Sequence, residues 1–81
     1  MDTELATLLN QLETCKEQNG SMHEETASLH YQIGLYYIHH GDAMEAMNHL
    51  GDALYIRRNF FGEDSLRIKE IYYALEQCTF M

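Results

Sequence analysis

Histidine offers this sequence its nearest approach to metal or proton chemistry: His23, His30, His39, His40 and His49 lie among 81 residues. Three of them, His39, His40 and His49, flank a turn that also holds Asp42, an arrangement that invites a metal ion. A helical zinc pair needs two imidazoles four residues apart on one face, as in His-Glu-x-x-His, and no two histidines here have that spacing. Adjacent His39 and His40 point to different sides of a helix. The expectation is therefore surface or half-buried imidazoles, a modest pH response near neutrality, and no metal or other cofactor.

Other reactive residue types give equally little. The adjacent acids Glu24-Glu25 and Glu63-Asp64 read as helix caps and solvated charge, not as an acid–base pair. There is no Gly-rich phosphate loop, no Gly-x-Ser-x-Gly and no nucleophile–base pattern, so no enzyme is expected. Cys15 and Cys78 are too few for a disulfide scaffold or a cysteine-based zinc site, and such sparing use suits reducing cytoplasm or the nucleus. Asn19-Gly20-Ser21 has the glycosylation sequon, but the acidic start Met1-Asp2-Thr3-Glu4 lacks the order of a secretory signal, so the tripeptide reads as a turn. Cys78-Thr79-Phe80-Met81 has the form of a prenylation tail. It lacks an aliphatic second residue and a preceding basic cluster, so Cys78 reads as the end of a helix, with membrane contact expected only if it is prenylated.

The charge balance narrows the partners. Thirteen acidic against five basic residues give a net charge of −8, which excludes a nucleic-acid backbone as a natural ligand. Residues 1–56 carry nine acids and only Lys16, while residues 57–81 balance four against four. No apolar run reaches the length of a membrane span.

Four helices must position whatever the chain presents, because proline is absent, the punctuation is short, and no segment alternates with period two. The first runs roughly from Thr3 to Glu17 on the stripe Leu5, Leu8, Leu9, Leu12, Cys15, and Asn19-Gly20 ends it. Ser21-Met22-His23-Glu24 has the form of a capping box for the second. That helix carries two adjoining faces, Leu29, Ile33, Tyr36, His40 and His30, Ile33, Gly34, Tyr37, so it should contact two neighbours. Gly41 stops it and Asp42 caps the third, whose stripe is Ala43, Ala46, Met47, Leu50, Ala53, Leu54, Arg57 and whose end is Phe60-Phe61-Gly62. Asp64 or Ser65 caps the fourth, with Ile68, Ile71, Tyr72 and Leu75.

A shift of 42 residues lays the chain on itself. Gly20 meets Gly62, Leu8 meets Leu50, Leu12 meets Leu54, Leu29 meets Ile71, and Ile33 meets Leu75. The predicted fold is all-α: four antiparallel helices in the order B-A-B-A, forming one helical-repeat domain over residues 1–81. A complete repeat occupies about 21–61, with partial repeats on either side. Within that repeat the order is His30-x2-Ile33-Gly34-x2-Tyr37, then Ala46-x3-Leu50, then Ala53. Gly34 and Ala46 are small where two antiparallel helices cross most closely, and Tyr37 and Leu50 fill the space beside them.

These residues resemble the tetratricopeptide repeat family across Ser21 to Gln77. The stretch from Ala53-Leu54-Tyr55-Ile56-Arg57 through Phe61-Gly62-Glu63-Asp64 to Leu75 is similar to its long-repeat, kinesin-light-chain-like subtype. Ile33-Gly34, His39-His40-Gly41, Ala46-Met47, Gly62 to Leu66 and Leu75 to Cys78 also resemble the C-terminal helical region of SET–MYND methyltransferases. His30 and Leu50 depart from the larger aromatics of the repeat pattern. The resemblance implies a non-enzymatic scaffold or adaptor that holds a partner peptide on the concave face of its A helices. On this chain that face carries Tyr31, Gln32, Leu35, Ile38 and His39 from the first A helix and Glu70, Tyr73 and Gln77 from the second. The lysines and asparagines of a carboxylate clamp are missing, so an apolar or basic segment suits the face better than an acidic one. Tyr31 and Tyr73 serve equally well as covers for neighbouring helices, and both roles stay open. Repeat logic adds a second surface: Ile68, Ile71, Tyr72 and Leu75 have no following helix to cover them, which predicts a homodimer, a different partner or further repeats. A helical fragment of a methyltransferase-like enzyme is the remaining alternative.

Overall fold

The computed structural model describes residues 2–62 and 64–80. The acidic pair Glu63-Asp64 and the tail Cys78-Thr79-Phe80-Met81 therefore each fall partly outside the described residues. The chain is all-α, with four helices: α1 (Thr3–Asn19), α2 (Glu24–His39), α3 (Ala43–Arg58) and α4 (Leu66–Thr79). No strand occurs among the described residues, and none of their helices is long and apolar enough to cross a membrane.

Local chemistry sets the boundaries. Asp2 caps α1 by accepting from the N–H groups of Glu4 and Leu5. Gly20, at φ +91°, ends it and returns its N–H to the Lys16 carbonyl at 3.0 Å. Gly41, at φ +76°, makes the next reversal, where the Asp42 N–H reaches the Tyr37 carbonyl at 2.9 Å. Asp42 then caps α3 through Glu45, and Ser65, not Asp64, caps α4. The second cap differs from the expected Ser21 box: the His23 Nδ1 accepts the Glu25 N–H at 3.1 Å and α2 starts at Glu24. The reason lies in the turn. Thr26 donates to the Gly20 carbonyl at 2.9 Å and meets Cys15 Sγ at 3.2 Å, which draws the Gly20–Met22 segment onto the end of α1.

The helices pack in chain order, with a smaller seam between α2 and α4. Their Cα atoms fill a slab of 34 × 32 × 15 Å. Cross-helix pairs show the directions. Cys15 meets Thr26 while Asp2 meets Tyr36, so α1 and α2 are antiparallel. His30 meets His49 while Arg57 meets Ser28, so α2 and α3 are antiparallel as well. Arg67 of α4 bonds Glu24 of α2 at 2.9 Å, so the two A-type helices run side by side from matched ends. Their caps, His23 and Ser65, stand 42 residues apart.

The core centres on Ala46, Leu50, Ala53, Ile71, Ala74 and Cys78, with Tyr31, Leu35, Tyr37 and Ile38 packed around it. Gly34 sits at the α2–α3 crossing. A Cβ there would lie 2.7 Å from Leu50 Cγ and 3.4 Å from the Ala46 carbonyl oxygen, so only hydrogen fits.

One expectation about the ends needs correction. Ile68 and Ile71 are not left uncovered on α4; both are 0% exposed inside the chain's own core, because α4 turns that stripe onto α2 and α3. Leu75 is half-buried against the same core, and Tyr72 is the outward member of the four. The exposed surface of α4 mixes Leu66, Tyr72, Tyr73 and the capping Phe80 with polar residues. Where α2 meets α3 with Gly34 and Tyr37, α4 carries Glu76 and Thr79, both exposed. A helix crossing α4 as α3 crosses α2 would bury the Glu76 carboxylate.

Candidate functional site

The residues expected to form one binding face meet three kinds of surroundings. Gln32, Leu35 and His39 lie toward α1. With Glu4, Leu8, Tyr36 and His40 they line a depression of about 350 Å³ between α1 and α2. Gln32 also opens into a larger neighbouring cleft of about 620 Å³ between the same two helices. Its α1 wall carries Thr7, Asn10, Gln11, Thr14 and Gln18, and its α2 wall carries Glu25, Ser28 and Leu29. Tyr31 and half-buried Ile38 lie on the adjoining part of the same α2 face, toward its packing with α3 and α4, where Glu70 of α4 stands beside Arg57. Tyr73, 67% exposed, and Gln77 project from α4 and do not line either of these cavities. The depressions thus follow α2 on its α1 side, and the expected residues of α2 form one arc that runs from Tyr31 and Ile38 through Leu35 to His39 and Gln32.

One side chain organises the α2–α4 seam, and it carries a full charge in the core. Arg57 is 2% exposed. Its NH1 donates to Glu70 Oε1 at 2.7 Å and to the Arg67 carbonyl at 2.9 Å, and its NH2 donates to Ser28 Oγ at 3.3 Å. The guanidinium also lies 5.2 Å from the centre of the Tyr31 ring. Its Nε has no hydrogen-bond partner; Glu24 Oε1, at 3.6 Å, supplies charge alone. Arg57 therefore ties α2, α3 and α4 together and fixes the Glu70 carboxylate beside Tyr31. Burial, and next the Glu70 charge, push the Tyr31 phenol above its ordinary pKa. The signal was present in the sequence, because Arg57 is in phase with the apolar stripe of α3.

The histidines follow helix packing rather than metal geometry. His30 Nδ1 and His49 Nδ1 are 3.1 Å apart across the α2–α3 contact, within hydrogen-bond reach when one of the two nitrogens carries the proton, and the His49 ring lies nearly parallel to that of Tyr37 at 5.8 Å. Burial pushes His30 down to about 4, and the nearby Asp52, at 3.9 Å, opposes that only in part. His49 is lowered for the same reason. The expected titration near neutrality is therefore displaced to acid at this pair. His40 stacks on Tyr36 at 4.0 Å and faces Asp2 at 3.7 Å, and Tyr36 donates its hydroxyl to the same carboxylate. That contact clamps the start of α1 to the end of α2. It holds Asp2 below the usual carboxylate range and Tyr36 well above the usual phenol range. Among the described residues no group of three or more His, Cys, Asp or Glu side chains is arranged to hold a metal ion.

The cleft's chemistry is that of neutral hydrogen bonding. Carboxamides and hydroxyls dominate its α1 wall, Leu29 and the buried Cys15 supply apolar floor, and Glu25 is its one ionisable acid. Such a lining can orient a polar segment and can exchange hydrogen bonds with it. Compared with known proteins, the chain matches no protein-family model, no curated protein and no solved structure.

Proposed function

We propose that the chain is a non-enzymatic interaction module, a short tetratricopeptide-like array that holds a segment of another protein along α2. The observation that carries this reading is the pair of open depressions side by side between α1 and α2, joined at Gln32, the smaller of which also holds Leu35 and His39. A net charge of −8 favours an apolar or basic segment over an acidic one. The cytoplasm or nucleus is its proposed setting. The α2–α4 seam supports a second docking position, because the exposed Tyr73 stands on the same helix as a Glu70 held in place by Arg57. Self-association through the buried Ile68 and Ile71 would require α4 to change places between two copies.

The test is affinity capture from the native cell with three baits: wild type, Gln32→Arg and Tyr73→Ala. Both changed residues are exposed, so melting temperatures should match wild type. Proteins retained by wild type and Tyr73→Ala but lost with Gln32→Arg place the site on the α1 side of α2. Loss with Tyr73→Ala alone moves it to the seam. Identical captures by all three baits contradict docking on either surface. Light scattering of the purified chain reads the dimer reading directly, and a monomer at high concentration ends it.

A further inference from the structure

We propose that the cleft between α1 and α2 takes a stretch of extended polypeptide and recognises it chiefly through its main chain. The proposal presupposes that the chain is an interaction module, and it names the class of segment bound. Internal repetition supplies the comparison. One repeat along, the corresponding seat on α3 and α4 is filled by a helix, α2 itself, which Arg57 and Glu70 tie in place. On α3 the positions 42 residues beyond Gln11 and Thr14 are Ala53 and Ile56, both buried. The α1 wall thus stands where the repeat would place a helix seat, with an exposed carboxamide and hydroxyl in place of the apolar groups.

That exchange changes what fits. An α-helix has its N–H and C=O groups already paired, so against this wall it would strip water from amides and give little back. An extended segment brings one unpaired donor and one unpaired acceptor per residue. Each carboxamide is likewise both donor and acceptor, and the cleft holds five: Asn10, Gln11, Gln18, Asn19 and Gln32. Glu25 is the one charged side chain of the lining, which disfavours an anionic ligand. Thr7 to Gln18 spans about 16 Å of helix at 1.5 Å per residue, room for about five residues of extended chain. Side-chain preference would enter at Leu29, where the floor is apolar.

The test uses the full chain as bait against a display library of randomised nonapeptides, followed by synthesis of the strongest binder. Three versions of that binder are compared: alanine-scanned, N-methylated at successive main-chain amides, and hydrocarbon-stapled as a helix. Main-chain recognition predicts a loss of about 3- to 10-fold on N-methylation at alternate central positions, since each lost hydrogen bond is worth about that factor. Most alanine replacements should matter far less, the helical version should not bind, and Gln11→Leu and Gln32→Leu should each weaken binding by a similar factor. A binder indifferent to N-methylation, or one that binds better as a helix, overturns the main-chain proposal while leaving the interaction module intact. A library with no binder at millimolar concentration, or binders unaffected by both glutamine variants, overturns the proposal and removes the cleft from the proposed function as well.

Discussion

Substituting Gly34 by alanine puts the α2–α3 crossing under a direct test. The two contributions oppose each other. In an exposed helix interior the change gains about 1 kcal/mol of propensity. Here the new methyl would lie 2.7 Å from Leu50 Cγ and 2.8 Å from Leu50 Cδ2, far inside the usual carbon–carbon separation of about 3.5–4.0 Å. Leu50 is fully buried and cannot swing into solvent, so the helices must part or the leucine must leave its rotamer. Such overpacking costs about 1–3 kcal/mol, and a contact this short belongs at or above the upper end. The net expectation is a loss of about 2 kcal/mol or more, or roughly 8–16 °C in Tm for a domain of this size. Leu50→Ala alone should cost about 2–5 kcal/mol by opening a cavity. The double variant should cost less than the sum, by about 1–2 kcal/mol, because the new methyl then occupies vacated space. Urea unfolding followed by helical circular dichroism reads all four corners of the cycle. A neutral or stabilising Gly34→Ala with an additive double variant would refute the close crossing.

Other consequences are as specific. Arg57→Met removes the guanidinium from beneath Tyr31 and strands Glu70, which is itself partly solvated, so unfolding stability should fall by about 1–3 kcal/mol; an unchanged denaturant midpoint would show that the buried ion pair is not holding the helices together. Acid should destabilise the fold through His30. Between its unfolded pKa of about 6.5 and its folded value of about 4, the unfolded chain holds a proton that the native chain excludes. Stability is therefore full above about pH 6.5 and falls toward pH 4, by as much as about 3 kcal/mol. The lowering of His49 acts in the same direction. A pH series of melts on wild type and His30→Leu checks this: the variant should lose most of the slope between pH 6.5 and 4.5, and equal slopes would contradict it. Iodoacetamide should label native Cys15 and Cys78 far more slowly than the unfolded thiols, since both are buried and burial raises the Cys78 pKa. Equal labelling rates would place at least one thiol outside the core.

Helix number, order and the close pair Gly34–Leu50 were legible because they depend on local periodicity and on side-chain size. The apolar periodicity repeats with the 42-residue shift, whereas Gly34 itself meets Glu76. The Ser21 cap was misread because a capping box is a local pattern, whereas the turn answers to Cys15 and Thr26, eleven residues apart. The supposed bare face of α4 was misread for a related reason. Spacing shows that Ile68 and Ile71 share a stripe, but it does not say that α2 and α3 together cover it. The α1 cleft escaped notice because amides and hydroxyls on a helix read as ordinary solvated surface. Only comparison with the buried Ala53 and Ile56 one repeat on marks them as occupants of a packing face. Arg57 was read as one more member of an apolar stripe, although a charge in that phase needs acidic partners, and Glu24 and Glu70 supply them.

Backbone amide NMR of the labelled chain, titrated with its strongest nonapeptide ligand, addresses the proposed function most directly. Shifts confined to Thr7–Gln18 of α1 and to Glu25–His39 of α2, leaving the outer face of α4 unmoved, are the predicted result. Shifts centred on Tyr73 and Gln77, or an unchanged spectrum at saturating peptide, would contradict a binding cleft beside α2.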